Sequence, residues 1–471
     1  MTSARFVRAA QVRTSSSLGP GRGADLGSLL HRIGLRRAAI VLFLVAVICQ
    51  SENFFAAISG LDDATGRQAF AGLMLLAALA YLVRMLTNPG MPHSRFALWP
   101  AIAFLVYIVT SAIANTFIFP KPLADWIWAQ YILVPILGFY FFALLDVSER
   151  DLFLAVIVAG CFAAALLLAD LSIQFPFMDA FARRSIFESG AHEVRRIVFL
   201  IDYINIAYLF LFTLLWKRGH SLGFYVLMGL WIAVMMYVQA TVVQSRLSLM
   251  GMFFSIVILT LAHRPQRSYG TAAFTVLGII AVFAAVPTLL GPYIALLFQD
   301  DLIVNNQYNV LVRIQTLQYY WDAFVQSGGF GFGMASPTGL VNNVISHGLN
   351  DLHLNFVDLG IVAGLVQFGV LGLAIVLGLT FLVLRILYRA FRRLPDPDCW
   401  RPAAIAAFIV GNLMSPIPIN LFSIQSGVFE GSIVLYLCWR YLRVLRSAGV
   451  TPPKAPPRRY ARVAMRRTLV R

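Results

Sequence analysis

The sequence predicts an all-α, polytopic membrane protein with about twelve transmembrane helices. Of the 471 residues, 59% are hydrophobic and only 12% are charged, a composition outside the range of soluble globular domains. The mean hydropathy is +0.78. Apolar runs of about 18 to 25 residues, long enough to cross roughly 30 Å of hydrocarbon as helix, recur along almost the whole chain. A helical class follows because a helix satisfies its backbone hydrogen bonds within one segment.

The predicted spans have short connections, except for one long polar interruption after the ninth. In chain order they are Ala38–Phe55, Ala69–Leu86, Phe96–Ile118, Trp126–Leu145, Leu152–Ile173, Val198–Trp216, Phe224–Val243, Leu247–Ala262, Ala272–Phe298, Asn355–Leu387, Ala403–Leu421 and Gly427–Leu445. The two predicted spans on either side of Gln244-Ser245-Arg246 are also compatible with one bent helix. The number of transmembrane helices therefore depends on whether this segment forms a hairpin.

The distribution of basic residues predicts that both termini are cytoplasmic, because cytoplasmic loops retain Lys and Arg. In that orientation only eight of the 37 basic residues lie on the translocated side. These are Arg67, Lys121, Arg183, Arg184, Arg195, Arg196, Arg246 and Arg313. The net charge of +16 is then mainly a consequence of topology and of tails that face anionic lipid, and no nucleic-acid partner is expected.

This topology divides the chain into five parts. They are a disordered basic cytoplasmic tail (1–37), transmembrane helices 1–9 (38–298), a periplasmic loop with short helices that carries the candidate site (299–353), transmembrane helices 10–12 (354–446) and a basic cytoplasmic tail (447–471). The four cysteines lie in spans or in a cytoplasmic loop without metal-ligand spacing, so neither a disulfide framework nor a zinc site is predicted.

The periplasmic loop holds most of the polar groups suited to chemistry. After Arg313, apolar residues recur with the spacing of an amphipathic helix that lies on the membrane surface. They are Ile314, Leu317, Tyr320, Trp321 and Phe324. The glycine string of residues 328–333 ends this helix, and we expect it to act as a flexible hinge.

Arginines from three loops are predicted on the periplasmic side. Arg195 and Arg196 precede the sixth span, Arg246 lies at the tip of the seventh-to-eighth hairpin, and Arg313 lies in the long loop. Guanidinium groups bind phosphate oxygens with two parallel hydrogen bonds and stay charged, so these residues suit a diphosphate. The alternative is that several of them contact lipid headgroups or pair with Glu188, Glu193 and Asp202.

Two histidines enter the tenth span in a polar segment. Imidazole titrates near neutrality, so His347 or His353 can accept a hydroxyl proton during group transfer. The supporting residues of this segment are Asn350, Asn355 and Asp358. The alternative role for either histidine is hydrogen bonding at the membrane interface.

Taken in order, these segments resemble the bacterial O-antigen ligase and polysaccharide polymerase superfamily of integral membrane glycosyltransferases. The resemblance depends on four motifs. They are Arg195-Arg196 with Asp202–Ala207, Gln244-Ser245-Arg246, Arg313–Trp321 with Gly329–Gly333, and the histidine segment with Asp358–Gly364. The resemblance covers about 40% of the chain, and its specificity comes from motif order, spacing and common side. The chain departs from the family in having Gly328 where a proline is usual. It also lacks an intact His-Asn pair, so His347 and His353 both remain candidates.

The resemblance implies a metal-independent, inverting transfer of a glycan from an undecaprenyl diphosphate carrier to an acceptor sugar hydroxyl, at the periplasmic face of the bacterial inner membrane. The expected partners are this lipid-linked donor, a glycan or lipid A core acceptor, membrane lipid and a chain-length regulator. No cofactor is expected. No metal is expected either, because the outer loops contain no Asp-x-Asp pair.

Three functions fit this pattern. A polymerase of exopolysaccharide or O-antigen repeat units is favoured, because the histidine segment is atypical for ligases. An O-antigen ligase that attaches polysaccharide to lipid A core is the first alternative. A lipid-linked sugar flippase or transporter is the second, although the chain shows no inverted repeat and its polar groups gather towards one side of the membrane.

Overall fold

A computed structural model describes most of the predicted membrane-embedded chain. The described residues are 26–88, 95–118, 122–183, 196–215, 221–243, 246–262, 317–318, 320–322, 324–331, 333, 361–395, 398–414 and 425–447. The ninth predicted span, Ala272–Phe298, lies outside these residues.

The described residues are almost entirely helical, as predicted. The helices are α1 (Leu26–Ser51), α2 (Phe54–Ser59), α3 (Asp63–Thr87), α4 (Trp99–Ile113), α5 (Leu123–Ala129), α6 (Gly138–Leu144), α7 (Glu149–Ile173), α8 (Ile201–Leu214), α9 (Leu222–Val238), α10 (Arg246–Ala262), α11 (Ile361–Arg393), α12 (Trp400–Met414) and α13 (Gln425–Ser447). Two short strands, β1 (Ala182–Arg183) and β2 (Arg196–Ile197), pair antiparallel before α8. These strands were not predicted from the sequence.

Within the described residues, five segments are long and apolar enough to cross a membrane. They are Gly34–Ser51, Ala64–Thr87, Arg95–Phe117, Glu149–Ile173 and Gly364–Arg393. Helices α8, α9, α10 and α12 contain shorter apolar segments. These helices support the membrane-embedded class, by length and composition.

Two predicted boundaries differ from the structure. Helix α1 begins at Leu26, so residues 26–37, predicted as part of a disordered tail, are helical. No proline interrupts this stretch, so the helix extends beyond the apolar span. The fourth predicted span is broken by the 3₁₀ turns Gln130–Ile132 and Val134–Leu137. Pro135 lies in the second turn, where its missing N–H removes a helical hydrogen bond.

Small residues let the helices approach closely. A Cβ atom on Gly160 of α7 would lie 2.3 Å from the Tyr203 carbonyl oxygen of α8. One on Gly411 of α12 would lie 2.4 Å from the Gly251 carbonyl oxygen of α10. Such contacts are typical of helix packing in membranes, where close backbone approach increases van der Waals contact.

Ion pairs join the helix ends at one end of the bundle. Arg401 pairs with Glu149 at 2.8 Å and with Asp398 at 3.1 Å. The other pairs are Arg37 with Asp151, Arg150 with Asp398 at 2.8 Å, and Arg440 and Arg443 with Asp146 at 2.6 Å and 3.7 Å. We call this end the ion-pair face. The positive-inside pattern assigns all of these arginines to the cytoplasmic side.

Candidate functional site

The glycine string is tied to a break in helix α11. At Gly369 the backbone leaves the helical conformation, with φ 69° and ψ −172°. The Gly333 N–H donates to the Gln367 carbonyl oxygen at 2.8 Å, and the Val370 N–H donates to the Gly329 carbonyl oxygen at 3.1 Å. We call this contact, formed by the described residues of 327–333 and by residues 367–370, the glycine clasp. It provides partners for backbone groups near the helix break.

Glycine is required on both sides of the clasp. The clasp residues with positive φ are Gly328 (63°), Gly329 (86°), Gly331 (80°), Gly333 (75°) and Gly369 (69°). A Cβ on Gly331 would lie 2.5 Å from the Gln367 carbonyl oxygen, and one on Gly369 would lie 2.4 Å from the Gly329 carbonyl oxygen. Only glycine permits both this conformation and this approach.

The structure does not test whether the string acts as the expected flexible hinge, which stays a prediction. These glycines form a backbone contact between two segments, and the loop is anchored there. Gly328 stands where a proline is usual in the superfamily that the chain resembles. Proline fixes φ near about −65°, so it is incompatible with the φ of 63° at this residue.

Ser327 ends the helix that precedes the clasp. Its hydroxyl donates to the Phe324 carbonyl oxygen at 2.6 Å and accepts from the Gly331 N–H at 2.9 Å. The side chain is buried. It therefore joins the end of the helix to the turn by both of its hydrogen-bonding functions.

The predicted amphipathic helix is present over the described residues of 317–326, which we call the loop helix. Tyr320 and Phe324 are buried, at 1% and 9% exposure. Leu317, Trp321 and Val325 repeat at i, i+4 and i+8 and are exposed at 39%, 46% and 59%. One face thus packs inward while the other presents apolar side chains to the surroundings, as expected for a helix at a membrane interface.

A polar cluster lies directly beneath the clasp. A Cβ on Gly333 would lie 3.2 Å from Ser111 Oγ. Trp126 Nε1 donates to this oxygen at 3.1 Å, and Gln130 Nε2 lies 3.3 Å from it. Gln130 Nε2 also donates to the Trp126 carbonyl oxygen at 2.9 Å. This cluster was not predicted from the sequence, although polar Ser111 and Gln130 within predicted spans were an available signal.

Two arginine-bearing segments come together. Strand β2, which contains Arg196, packs against the π-helical turn Gln239–Val243 at the end of α9. Arg246 opens α10, close behind that turn in the chain. A buried hydrogen bond of 2.9 Å from Gln239 Nε2 to Asn205 Oδ1 holds this turn against α8. The backbones of these two predicted site segments therefore lie near each other, while their arginine side chains lie outside the described atoms.

The remaining predicted site residues lie outside the described part of the chain. They are Arg195, Arg313, His347, Asn350, His353, Asn355 and Asp358. Their roles stay predictions. Among the described residues, no group of three or more His, Cys, Asp or Glu side chains is arranged to hold a metal ion.

No protein-family model matches the chain, and no curated protein matches it either.

Proposed function

We propose that the chain is a membrane glycosyltransferase that moves an undecaprenyl-diphosphate-linked oligosaccharide to an acceptor sugar hydroxyl, polymerising exopolysaccharide or O-antigen repeat units. The observation that carries the proposal is the packing of the Arg196 strand against the turn that leads to Arg246. Two separate motifs of the resemblance, both with arginine, thus belong to one region. The ordered loop helix and clasp add support, since they anchor the third motif.

We further propose twelve transmembrane helices in the bacterial inner membrane, with both termini cytoplasmic and the site periplasmic. The ion-pair face supports this topology, because it gathers arginines that the positive-inside rule assigns to one side. The clasp supports it as well. It contacts the end of α4, which the proposed topology assigns to the opposite side.

In the proposed reaction, Arg196, Arg246 and Arg313 bind the diphosphate, with Arg195 beside them. His353 or His347 accepts the proton of the acceptor hydroxyl. The hydroxyl oxygen forms a bond to the anomeric carbon as the bond from that carbon to the diphosphate oxygen breaks. The electron pair leaves with the diphosphate, whose developing charge the guanidinium groups stabilise, and in-line attack inverts the configuration.

Substitution of the charged groups tests this mechanism. We expect Arg246→Ala and the double variant His347→Ala/His353→Ala each to lower polymer output at least about 100-fold at unchanged protein level, because each removes a transition-state interaction. Arg150→Ala, on the ion-pair face, is the matched arginine control and should retain output. Normal output from both Arg246→Ala and the double histidine variant would reject the mechanism.

The acceptor distinguishes a polymerase from a ligase. Purified protein is incubated with carrier-linked repeat units, with and without lipid A core. Chain growth on repeat units alone is expected for the polymerase that we propose. Product that forms only when lipid A core is present would assign the ligase activity.

The break in α11 argues against the flippase alternative. Broken helices in transporters expose free backbone groups to a substrate or ion near the membrane centre. At Gly369 the neighbouring backbone groups bond instead to the clasp, through Gly329 and Gly333. The break is therefore filled by the protein's own loop.

A further inference from the structure

Three arginines from two helices meet at one turn on the ion-pair face. The turn lies at the end of α6, which packs against both α3 and α13. Arg84, in the last turn of α3, donates to the Leu144 carbonyl oxygen at 3.1 Å. On α13, Arg440 and Arg443 lie 2.6 Å and 3.7 Å from Asp146 Oδ1. We call these three arginines the arginine cluster.

The turn that the arginine cluster surrounds is held by several hydrogen bonds. The Asp146 N–H donates to the Ala143 carbonyl oxygen at 3.3 Å, and the Val147 N–H donates to the Phe142 carbonyl oxygen at 3.2 Å. The buried Tyr436 hydroxyl donates to the Val147 carbonyl oxygen at 2.7 Å and so ties the turn to α13. The arginine cluster therefore surrounds a fixed backbone, and its geometry does not have to be assembled when a ligand binds.

The arginine cluster carries more positive charge than the turn neutralises. Its three guanidinium groups meet one carboxylate, that of Asp146, which leaves an excess of two positive charges. The other carboxylates of the ion-pair face pair with different arginines. These pairs are Asp151 with Arg37, Glu149 with Arg401, and Asp398 with Arg150 and Arg401. Excess arginine charge at one end of a membrane bundle favours a bound anion.

Arg443 is the member of the cluster best placed to bind that anion. Its distance of 3.7 Å to Asp146 is longer than a hydrogen bond, so the attraction between these two side chains is electrostatic. Its guanidinium carbon lies 4.8 Å from the centroid of the Trp439 ring, a cation–π contact that positions the group. The side chain is 46% exposed. A guanidinium offers five N–H donors in a fork that matches phosphate oxygens, so Arg443 can bind a phosphate and keep both contacts.

Exposed apolar side chains adjoin the arginine cluster. Val83 and Leu86 are exposed on α3, Leu145 is exposed in the turn, and Val444 is exposed on α13. Each of them lies within two residues of a charged residue of the site. Trp439 adds an indole ring, which membrane proteins place at headgroup level. A free phosphate would gain nothing from this apolar surface, whereas a phospholipid matches both the charge and the surface.

We propose that the arginine cluster binds the phosphate headgroup of an anionic phospholipid, whose acyl chains lie along the exposed apolar residues of α3. The bound headgroup links α3 to α13 across the turn after α6. In the proposed topology this lipid belongs to the cytoplasmic leaflet, so it is distinct from the glycan donor at the opposite face. Lipid binding here does not depend on the proposed transfer reaction.

Lipid binding by the full-length protein in detergent tests the proposal. Native mass spectrometry measures the binding of phosphatidylglycerol and phosphatidylcholine with identical acyl chains over a range of lipid concentrations. Wild type should bind phosphatidylglycerol more tightly. Arg84→Gln/Arg443→Gln should weaken phosphatidylglycerol binding about 25-fold and leave phosphatidylcholine binding unchanged, because an arginine near an anionic lipid surface contributes about 5-fold. The matched control, Arg385→Gln/Arg389→Gln, removes two exposed arginines of α11 and should keep the wild-type preference.

Asp146→Asn distinguishes a lipid site from arginines that only stabilise the turn. Asn tolerates the positive φ of 46° at this position, and the substitution removes the negative charge that competes with the lipid. Phosphatidylglycerol binding should therefore rise about 5-fold. Arginines that serve only to stabilise the turn would give a lower melting temperature and no gain in binding.

Four results would overturn the proposal. They are equal binding of the two lipids by wild type, equal losses in the Arg84→Gln/Arg443→Gln protein and its control, unchanged or weaker phosphatidylglycerol binding in Asp146→Asn, and displacement of the lipid by millimolar inorganic phosphate. The last result would mean that the apolar surface contributes nothing. The measurements use no glycan donor, so failure of the proposed transfer activity would leave all of them unchanged.

Discussion

At the scale of single residues, glycine decides the geometry of the candidate site. Gly331 and Gly369 approach backbone atoms of the opposite segment at distances that no side chain permits. Their positive φ values exclude most other residues independently of the space available. The sequence showed that a glycine string was present. Its partner, Gly369, is one of four glycines in a long apolar helix, so its presence there gave no sign of the break.

Substitution at Gly369 is the residue-scale prediction. Gly369→Ala should destabilise the protein by about 2–4 kcal/mol, because it combines backbone strain with a clash against the Gly329 carbonyl oxygen. Polymer output should fall as the clasp opens. The measurements are thermal unfolding in detergent and polymer yield at equal protein level.

The control lies on the same helix. Gly378→Ala places a methyl group where no atom lies within 4 Å, in ordinary helical backbone. Its stability should change by less than about 1 kcal/mol. Equal effects at the two positions would contradict the clasp as the cause.

At the scale of elements, α8 organises one side of the candidate site. It follows the β1–β2 pair, packs on α7 through Gly160, and is tied to the end of α9 by the Asn205–Gln239 hydrogen bond. Asp202 lies in its first turn. The sequence predicted the helix and the arginines before it, but not the strand pair. Strands of two residues are too short to produce a recognisable alternation of apolar and polar side chains.

Gly160→Ala tests the α7–α8 contact. The new methyl group would lie 2.3 Å from the Tyr203 carbonyl oxygen and 2.8 Å from Ala207 Cβ, so the helices must separate. We expect a loss of about 1–3 kcal/mol in thermal unfolding, as for overpacked cores. Gly72→Ala on α3 has no atom within 4 Å of the added carbon and should be nearly neutral. An unchanged melting temperature for Gly160→Ala would rule out the tight packing described.

At the scale of the whole molecule, the two ends of the bundle differ in chemistry. The ion-pair face joins α1, α7, α12 and α13 through charged side chains. The other end carries the clasp and the polar cluster of Ser111, Trp126 and Gln130. Such asymmetry is expected of a membrane protein whose two faces meet different compartments.

Cysteine labelling tests the proposed orientation. In a background without native cysteines, Gln326→Cys on the loop helix should react with a membrane-impermeant maleimide applied to intact spheroplasts. Arg443→Cys on the ion-pair face should react only after permeabilisation, because it lies at the end assigned to the cytoplasm. Both positions are exposed. Labelling of both from the same side would refute the proposed topology.

The sequence by itself determined the membrane-embedded helical class and the two faces of the loop helix. Both depend on local composition and on the 3.6-residue period, which a single segment contains. Only the tertiary structure decided that Gly329 and Gly333 bond to α11 and that β2 meets the end of α9. These contacts join residues far apart in the chain. They depend on which helices pack together and at what register, and the hydrophobic pattern of an individual helix does not encode that choice.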